Sequence, residues 1–538
     1  MSRSKRPSFA RAVVLALCVS SLACGGGGSG ATSSSSPPDA PSTPIVAAGD
    51  GANSITWQAV AGATSHALYW STTTPVDVAS AASVVLTASP HVHSGLVNGT
   101  EYFYVLTASN AQGESSPSSE AHATPSASAS LYDPSWATVS SLTTRTLNHD
   151  AGLTAVQNGA ALKAAILALQ PGERLEVGAG TYSVNSYFGL DLQGTAQAPI
   201  FVVAKAGETP ILTRPDANQN ALNVGVSMTT RFVCLRGFEI TGGSAGVRLY
   251  SVQDFWLDRC HVHHTNEAGV TANTADTARL HLTRNEVDHT LGTGEGFYLG
   301  ANNAQWVMRD SVIALNHVHD TAGTQGDGIE IKQGSFGNWV AENVVHDCNY
   351  PCILLYGTGG YAFNLVERNV CWNSGDNVMQ VQGEAIVRNN FLMHGANAFG
   401  SHDHQGQVRD LEFVHNTLVN VGRGAQLSNW SGRPGLVFAN NVVYSQNSQS
   451  LSFGGGSSGV TLSGNVVVGA VSGASSGWIV GNGLADFTAV SWDASQQDAT
   501  PSPTSALLAS GDPTWAVLDD LTGAARAGSL EAGCYDAP

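Results

Sequence analysis

Between residues 237 and 468 the chain repeats one short pattern, an asparagine followed two positions later by an apolar residue. It reads Asn285-Glu-Val, Asn316-His-Val, Asn343-Val-Val and Asn369-Val-Cys, then Asn389-Asn-Phe, Asn416-Thr-Leu, Asn441-Val-Val and Asn465-Val-Val. Cys260-His-Val and Gly237-Phe-Glu-Ile fit the same frame without the asparagine. Steps run from 20 residues, Asn369 to Asn389, up to 31, Asn285 to Asn316. A repeat of this length means a stacked solenoid. Short Val-rich runs between Gly and Asn turns make its rungs strands rather than helices.

One asparagine per rung can occupy the same tight turn, tolerate the left-handed region and pass its amide to the next rung. That is the asparagine ladder of a right-handed parallel β-helix, so the fold class is all-β. A second strand follows each frame. In register these strands read Gly246-Val-Arg248-Leu-Tyr250, Gly269-Val-Thr271-Ala-Asn273, Gly296-Phe-Tyr298-Leu-Gly300 and Gly328-Ile-Glu330-Ile-Lys332, then Cys352-Ile-Leu354-Leu-Tyr356. Asn377-Val-Met379-Gln-Val381, Ala398-Phe-Gly400-Ser-His402 and Gly424-Ala-Gln426-Leu-Ser428 continue the set. Strand alternation sends Val247, Val270, Phe297, Ile329, Ile353, Val378 and Phe399 inward. Arg248, Tyr298, Glu330 and Leu354, with Tyr250, Lys332, Tyr356 and His402, then face out. Rungs about 4.8 Å apart, with outward residues roughly 6.7 Å apart along a strand, gather Tyr298, Glu330, Lys332 and Tyr356 into one patch.

Glu295 and Asp327 occupy the turn before this strand on neighbouring rungs, and Asp376 the same turn two rungs on. Carboxylates stacked at this spacing repel unless a cation or proton lies between them. Calcium suits such oxygen ligands in an exported protein. Equally, Asp327-Gly328 and Asp376-Asn377 read as turn dipeptides whose carboxylates cap backbone amides. Lys332 is a candidate base only if desolvation or a nearby cation lowers its pKa; the alternative is a plain ion pair with Glu330 on a solvated face.

The strand after the ladder carries a histidine-rich wall. His263, Asp288, His319 and His346 share one column, and His264, His289, Asp320 and Asp347 the next. Such a wall suits a transition metal, a proton relay or hydrogen bonds from coil to coil. A further cluster is Ser401-His402-Asp403-His404-Gln405.

The ends add domains. Arg3, Lys5, Arg6 and Arg11 precede the apolar run 12–19 and Ser21-Leu22-Ala23-Cys24. This is a secretory signal, too short to span a bilayer as a mature helix. Leu-Ala-Cys resembles the bacterial lipobox, which implies cleavage before Cys24 and its lipidation. Export to the bacterial cell envelope follows, with membrane contact only through that anchor. The tract 25–40 suits a tether. Loss of residues 1–23 removes four positive charges and takes the net charge from −18 to −22, which excludes nucleic acid as a partner. Six later cysteines are Cys234, Cys260, Cys348, Cys352, Cys371 and Cys534. Export permits disulfides, and Cys348-x3-Cys352 has the spacing of a small loop bridge.

Trp57, with Leu96, Gly99, Thr100 and Tyr102, resembles the core tryptophan and tyrosine corner of a fibronectin type III domain. The implied organisation is a signal peptide over 1–23, a tether over 24–41, that sandwich over 42–125, a linker over 126–148 and the β-helix over 149–538. A helix around Leu162, Ile166 and Leu169, stopped by Pro171-Gly172, would cap the open end. This cap with Gly194-Thr-Ala-Gln-Ala-Pro199-Ile200 resembles the start of secreted β-helix polysaccharide lyases of the chondroitinase B and alginate lyase kind. Asp520-Leu-Thr-Gly523 to Gly533-Cys-Tyr535 resembles the closing motif of secreted β-helix proteins.

That resemblance implies a calcium-assisted lyase, with Lys332 removing the proton next to a uronate carboxylate. No arginine stands one or two rungs on, where the family's second catalytic group is expected. Tyr298, Tyr356 or His402 would have to serve as acid. Arg248, Tyr250 and His404 would help bind an acidic polysaccharide, and His402–His404 distantly resembles a mannuronan epimerase motif. The expected state is a monomer. Three other readings remain: a uronate C5-epimerase that removes the same proton, a glycoside hydrolase using Asp327 and Glu330, and a non-catalytic adhesin stacking sugars on Tyr298, Tyr356, Trp306, Trp372 and Trp430.

Overall fold

A computed structural model describes residues 36–537 except 50–51, 87–88, 90, 95, 98–99, 126–129, 141 and 527–529. The chain divides into two compact units, with the boundary at Leu131–Tyr132. Cys24 and Gly99 lie outside the described residues.

The larger unit is a right-handed parallel β-solenoid of about 13 turns. One 15-stranded sheet runs from Thr143–Leu147 to Thr461–Ser463, and a 23-stranded sheet supplies the two remaining strands of each coil. Helix Ala155–Leu167 closes the first edge; Thr154 and Gln157 form its capping box, and Leu162 and Ile166 are buried beneath it. A continuous apolar core fills the interior from Leu162 to Val467.

The ladder joins successive coils. The backbone N–H of Cys260 donates to Asn285 Oδ1, that of Asn285 to Asn316 Oδ1, and that of Asn316 to Asn343 Oδ1, each at 3.0 Å. The series continues through Asn369, Asn390, Asn416, Asn441 and Asn465. Two expectations need correction. The ladder residue is Asn390; Asn389 donates instead to the Asp519 carbonyl in the C-terminal tail. The left-handed residue is the one before each ladder asparagine, as at Arg284 (φ 55°), Leu315 (φ 60°) and Glu342 (φ 54°). The turn therefore selects asparagine for its carboxamide, which both accepts and donates, and not for its backbone freedom. A second, shorter ladder runs Ser311, Asn338 and Asn364. Gly296 and Gly328 precede outward strands because a Cβ there would sit 2.5 and 2.4 Å from Cγ1 of Val318 and Val345.

Residues 132–140 and 142–148, expected as linker, belong to the solenoid. Tyr132 packs on Val312 and Trp339, Trp136 on Phe201 and Trp256, and Thr143–Leu147 is a strand of the stack. Burial of these aromatic rings outweighs the Ser/Ala/Thr-rich composition that suggested a linker. The tail beyond Asn482 covers outward apolar side chains of the last coils, among them Phe391, Met393 and Tyr444. All six described cysteines are buried and free, Cys348 and Cys352 included.

The smaller unit holds a three-stranded and a five-stranded antiparallel sheet sharing a core of Ile55, Trp57, Leu68, Leu86, Tyr104 and Leu106. Trp57 is buried as expected, and Tyr102 Oη accepts from the Val97 N–H at 3.1 Å.

Asn343→Ala would leave the buried Asn316 N–H without a partner and take the side-chain donor from the Ile313 carbonyl. An orphaned buried donor costs roughly 1–3 kcal/mol, so the variant is expected to lose about 2 kcal/mol. Urea denaturation of both proteins checks this as a lower midpoint.

Candidate active site

Register pairing sets the outward surface of the second strand. Arg248 lies opposite Thr271, Thr271 opposite Tyr298, Tyr298 opposite Glu330 and Glu330 opposite Leu354. Leu354 then faces Gln380, not Met379. The expected register is therefore one residue out at this coil. Met379 replaces Val378 in the inward column and packs between Ile353 and Phe399, while Val381 is also buried in the core. Gln380 and Gln382 take the outward places. One column further along the strand, Lys332, Tyr356, Gln382 and His402 follow one another. No arginine enters this run, as the sequence indicated.

These columns line two clefts. A larger one of about 690 Å³ holds Asp327, Glu330, Lys332, Tyr356, Asp376, Gln380, His402 and His404. A smaller one of about 450 Å³ holds Arg248, Thr271, Glu295 and Tyr298. Both are bordered by Asn302 and Gln325, so they adjoin along the stack of coils. Arg248 reaches Asn273 Oδ1 at 3.0 Å and lies 5.8 Å from the Tyr250 ring centre. Tyr250 is outside both clefts.

The charged centre is deeply buried. Lys332 is 4 % exposed, Glu330 2 %, Asp327 3 % and Glu295 2 %. Lys332 Nζ pairs with Glu330 Oε1 and lies over the Tyr298 ring at 4.5 Å and the Tyr356 ring at 5.5 Å. This corrects the solvated-face alternative: the ion pair exists, but out of water. Three carboxyl groups surround one ammonium. Burial, then Glu330 and Glu295, push Asp327 well above the usual carboxylate range. Burial pushes Glu330 up to about 7 against the pull of Lys332, and it raises Glu295 too. Burial alone would lower Lys332; Glu330 outweighs it and holds the amine above its ordinary value. Burial raises Tyr298 and Tyr356, and it lowers His404, whose ring meets Tyr356 at 5.3 Å.

Buried polar atoms without a hydrogen-bond partner collect here. Arg248 Nε, Thr271 Oγ1, Asp327 Oδ1, Glu330 Oε2 and Gln405 Oε1 all line the two clefts. Buried polar groups are nearly always paired, so these atoms can take up water or a polar ligand. At the far end a carboxamide chain runs from Gln380 through Asn377 to Asn397 at 2.8 Å per step, and Arg423 joins Asn397 to Gln426. Sequence reasoning missed this end because the register slip hid Gln380; setting Met379 inward would have revealed it.

The expected calcium set is only partly assembled. Asp327 and Glu295 sit on adjacent coils, joined by the Gly296 N–H to Asp327 carbonyl bond at 2.8 Å. Asp376 lines the cleft wall but does not join them. Among the described residues, the groups with three ligand atoms within 4.8 Å of one another all lie in the histidine wall. That wall is aligned as read, with His263, Asp288, His319 and His346 in one column. His264, His289, Asp320 and Asp347 occupy its left-handed corner. The column of His261, Glu286 and His317 beside it was overlooked. Burial would raise Asp288, but hydrogen bonds from His261 and His289 hold it well below its ordinary value. The adhesin surface is also reduced, since Trp430 and Tyr356 are buried.

A family model described as a right-handed β-helix region matches residues 216–363. No curated protein matches the chain. Among solved structures, the chain is similar to the pectate lyase Pel9A, at 14 % identity over 74 % of this chain and 98 % of that one, TM-score 0.42. It is similar to an alginate lyase from Paenibacillus sp. str. FPU-7, at 17 % identity over 62 % and 98 %, TM-score 0.39. Over 16 % of its length it is similar to a Fn3-like protein from Clostridium thermocellum, at 25 % identity over 88 % of that chain, TM-score 0.14.

The corrected register has a direct consequence. Met379→Ala should cost about 2–5 kcal/mol of stability, as for a core methionine. Gln380→Ala should cost under about 1 kcal/mol, and denaturation midpoints of the two variants check the contrast.

Proposed function

We propose that this protein is a polysaccharide-active enzyme that cleaves an acidic, uronate-containing glycan by β-elimination in the larger cleft. The observation that carries the reading is the buried Lys332 amine among three carboxyl groups, in a cleft whose orphaned polar atoms call for a polar ligand. Neutral Lys332 Nζ takes the proton from the carbon next to the uronate carboxylate. The electron pair forms the new C=C bond, the bond to the glycosidic oxygen breaks, and that oxygen takes a proton from Tyr356 or His402. Tyr298 holds the amine by its ring face, and the Gln380–Asn377–Asn397 chain offers donors and acceptors to neighbouring sugars.

Lys332 must lose its proton to act, and Glu330 is what keeps it charged. When Glu330 is neutralised, burial dominates and the amine becomes a usable base. The carboxyl excess and the orphaned Asp327 Oδ1 fit a hard divalent cation, with Asp327 and Glu295 as its ligands. Bound calcium would neutralise the uronate carboxylate and acidify the adjacent proton. We further read the smaller unit as a fibronectin type III spacer, and the N-terminus as the signal and lipid anchor of an exported envelope protein.

A second reading has its own support. Glu330 at about 7 stands where a general acid works at neutral pH, which suits a glycoside hydrolase with Asp327.

Incubation with uronate polymers should raise ultraviolet absorbance as unsaturated uronide forms, and a chelator should suppress the rise. Lys332→Ala should lower the rate roughly 10²- to 10⁴-fold. New reducing ends without absorbance would establish the hydrolase instead. Glu330→Gln removes the contact that raises Lys332 and leaves the burial that lowers it. The acid limb of the pH–rate profile should therefore move to lower pH; an unmoved limb would remove Lys332 as the base.

A further inference from the structure

The histidine wall lies on the first strand of each coil, separate from the clefts. Register places Glu286 between His261 and His317, and Asp288 between His263 and His319. A carboxylate coil is thus flanked on both sides by histidine coils. Hydrogen-bond direction then fixes the tautomers. His319 Nδ1 lies 2.8 Å from Asp320 Oδ2, and an ionised carboxylate only accepts, so Nδ1 carries the proton. Nε2 faces Glu286 Oε1 at 3.3 Å and carries a lone pair whenever the ring is neutral.

The same logic applies one coil on. His346 Nδ1 donates to Asp347 Oδ2 at 2.6 Å, so His346 Nε2 is an acceptor. His317 Nε2, 2.8 Å away, donates to it. The Nδ1 of His317 is then also a lone pair, 3.9 Å from the same Glu286 oxygen. With both rings neutral, three lone-pair atoms converge here: Glu286 Oε1, His317 Nδ1 and His319 Nε2. Two donors about 2.1 Å from one tetrahedral ion stand roughly 3.4 Å apart, close to the separations here.

We propose that Glu286, His317 and His319 bind a divalent transition-metal ion of zinc's class. Their ligand atoms lie within 4.8 Å of one another. Asp288 Oδ2 lies 4.0 Å from His319 Nε2 but is bonded to His261 Nε2, so the fourth position would fall to water. Two imidazoles with one carboxylate select zinc, copper or nickel over calcium, which takes oxygen ligands. Asp320 on His319 and the His346–Asp347 pair on His317 act as the outer partners that orient metal-binding imidazoles. The ion would tie the Glu286 coil to the His317 coil, and so adds to the stability of the stack.

The test uses the full chain and Co²⁺ as the spectroscopic probe. One Co²⁺ per chain should bind with the intense visible bands of a four-coordinate site. Zn²⁺ should displace it, and a large excess of Ca²⁺ should not. Zn²⁺ should also raise the melting temperature. The double variant His317→Ala/His319→Ala, whose circular dichroism should match the parent, should weaken Co²⁺ binding at least 100-fold, and Glu286→Gln about tenfold. Lys332→Ala should leave it unchanged. Equal affinity in parent and double variant, or only weak six-coordinate binding, would overturn the proposal. Either result would mean that protons fill the gap and the wall is held by imidazolium–carboxylate pairs.

Discussion

The fold depends on one buried hydrogen-bonded column, in which each ladder carboxamide accepts from the coil before it and donates to the coil after it. A parallel solenoid has no hairpins, and each coil must turn through the same bend with its backbone groups satisfied. The asparagine column does this from Asn285 to Asn465. It also pins the register, so every strand after it presents the same alternation to core and solvent. Side chains far apart in sequence are thereby stacked at strand spacing, and outer columns acquire chemistry that no single coil holds.

Two columns on neighbouring strands resolve the same electrostatic problem differently. On the second strand, Glu295, Asp327 and Glu330 are packed around Lys332 with too little positive charge and almost no exposed surface. The result is a set of raised carboxyl groups and orphaned oxygens in a cleft. On the first strand, Glu286 and Asp288 are flanked above and below by histidines. Each carboxylate there has an imidazole within hydrogen-bond reach, and the surface is partly open. The buried shortage calls for a ligand or cation in the cleft, whereas the histidine wall offers nitrogen donors to a softer ion.

Much of this was legible in the sequence, because a carboxamide at every bend leaves a visible period. The stacking of Glu295, Asp327, Glu330 and Lys332 followed directly from it. Legibility failed where the coil shortens to 21 residues, between Asn369 and Asn390. There the Asn389-Asn390 doublet and the adjacent apolar pair Val378-Met379 each allow two frames, and only packing against Ile353 and Phe399 decides between them. Burial was also invisible. Nothing local says that Lys332 is enclosed by Tyr298 and Tyr356, or that Tyr132 and Trp136 leave an apparent linker to cover the sheet. Composition marks such segments as polar even when a few aromatic residues hold them down.

The central claim is that the Lys332 cleft binds and acts on an acidic glycan. A crystal structure of the Lys332→Ala protein with a uronate oligosaccharide, in calcium, tests it most directly. The account predicts a sugar chain lying along the stack across the two clefts, with one uronate carboxylate beside Asp327 and the adjacent ring carbon facing the place of the missing amine. An oligosaccharide bound elsewhere on the solenoid, with the cleft holding only solvent, would contradict it.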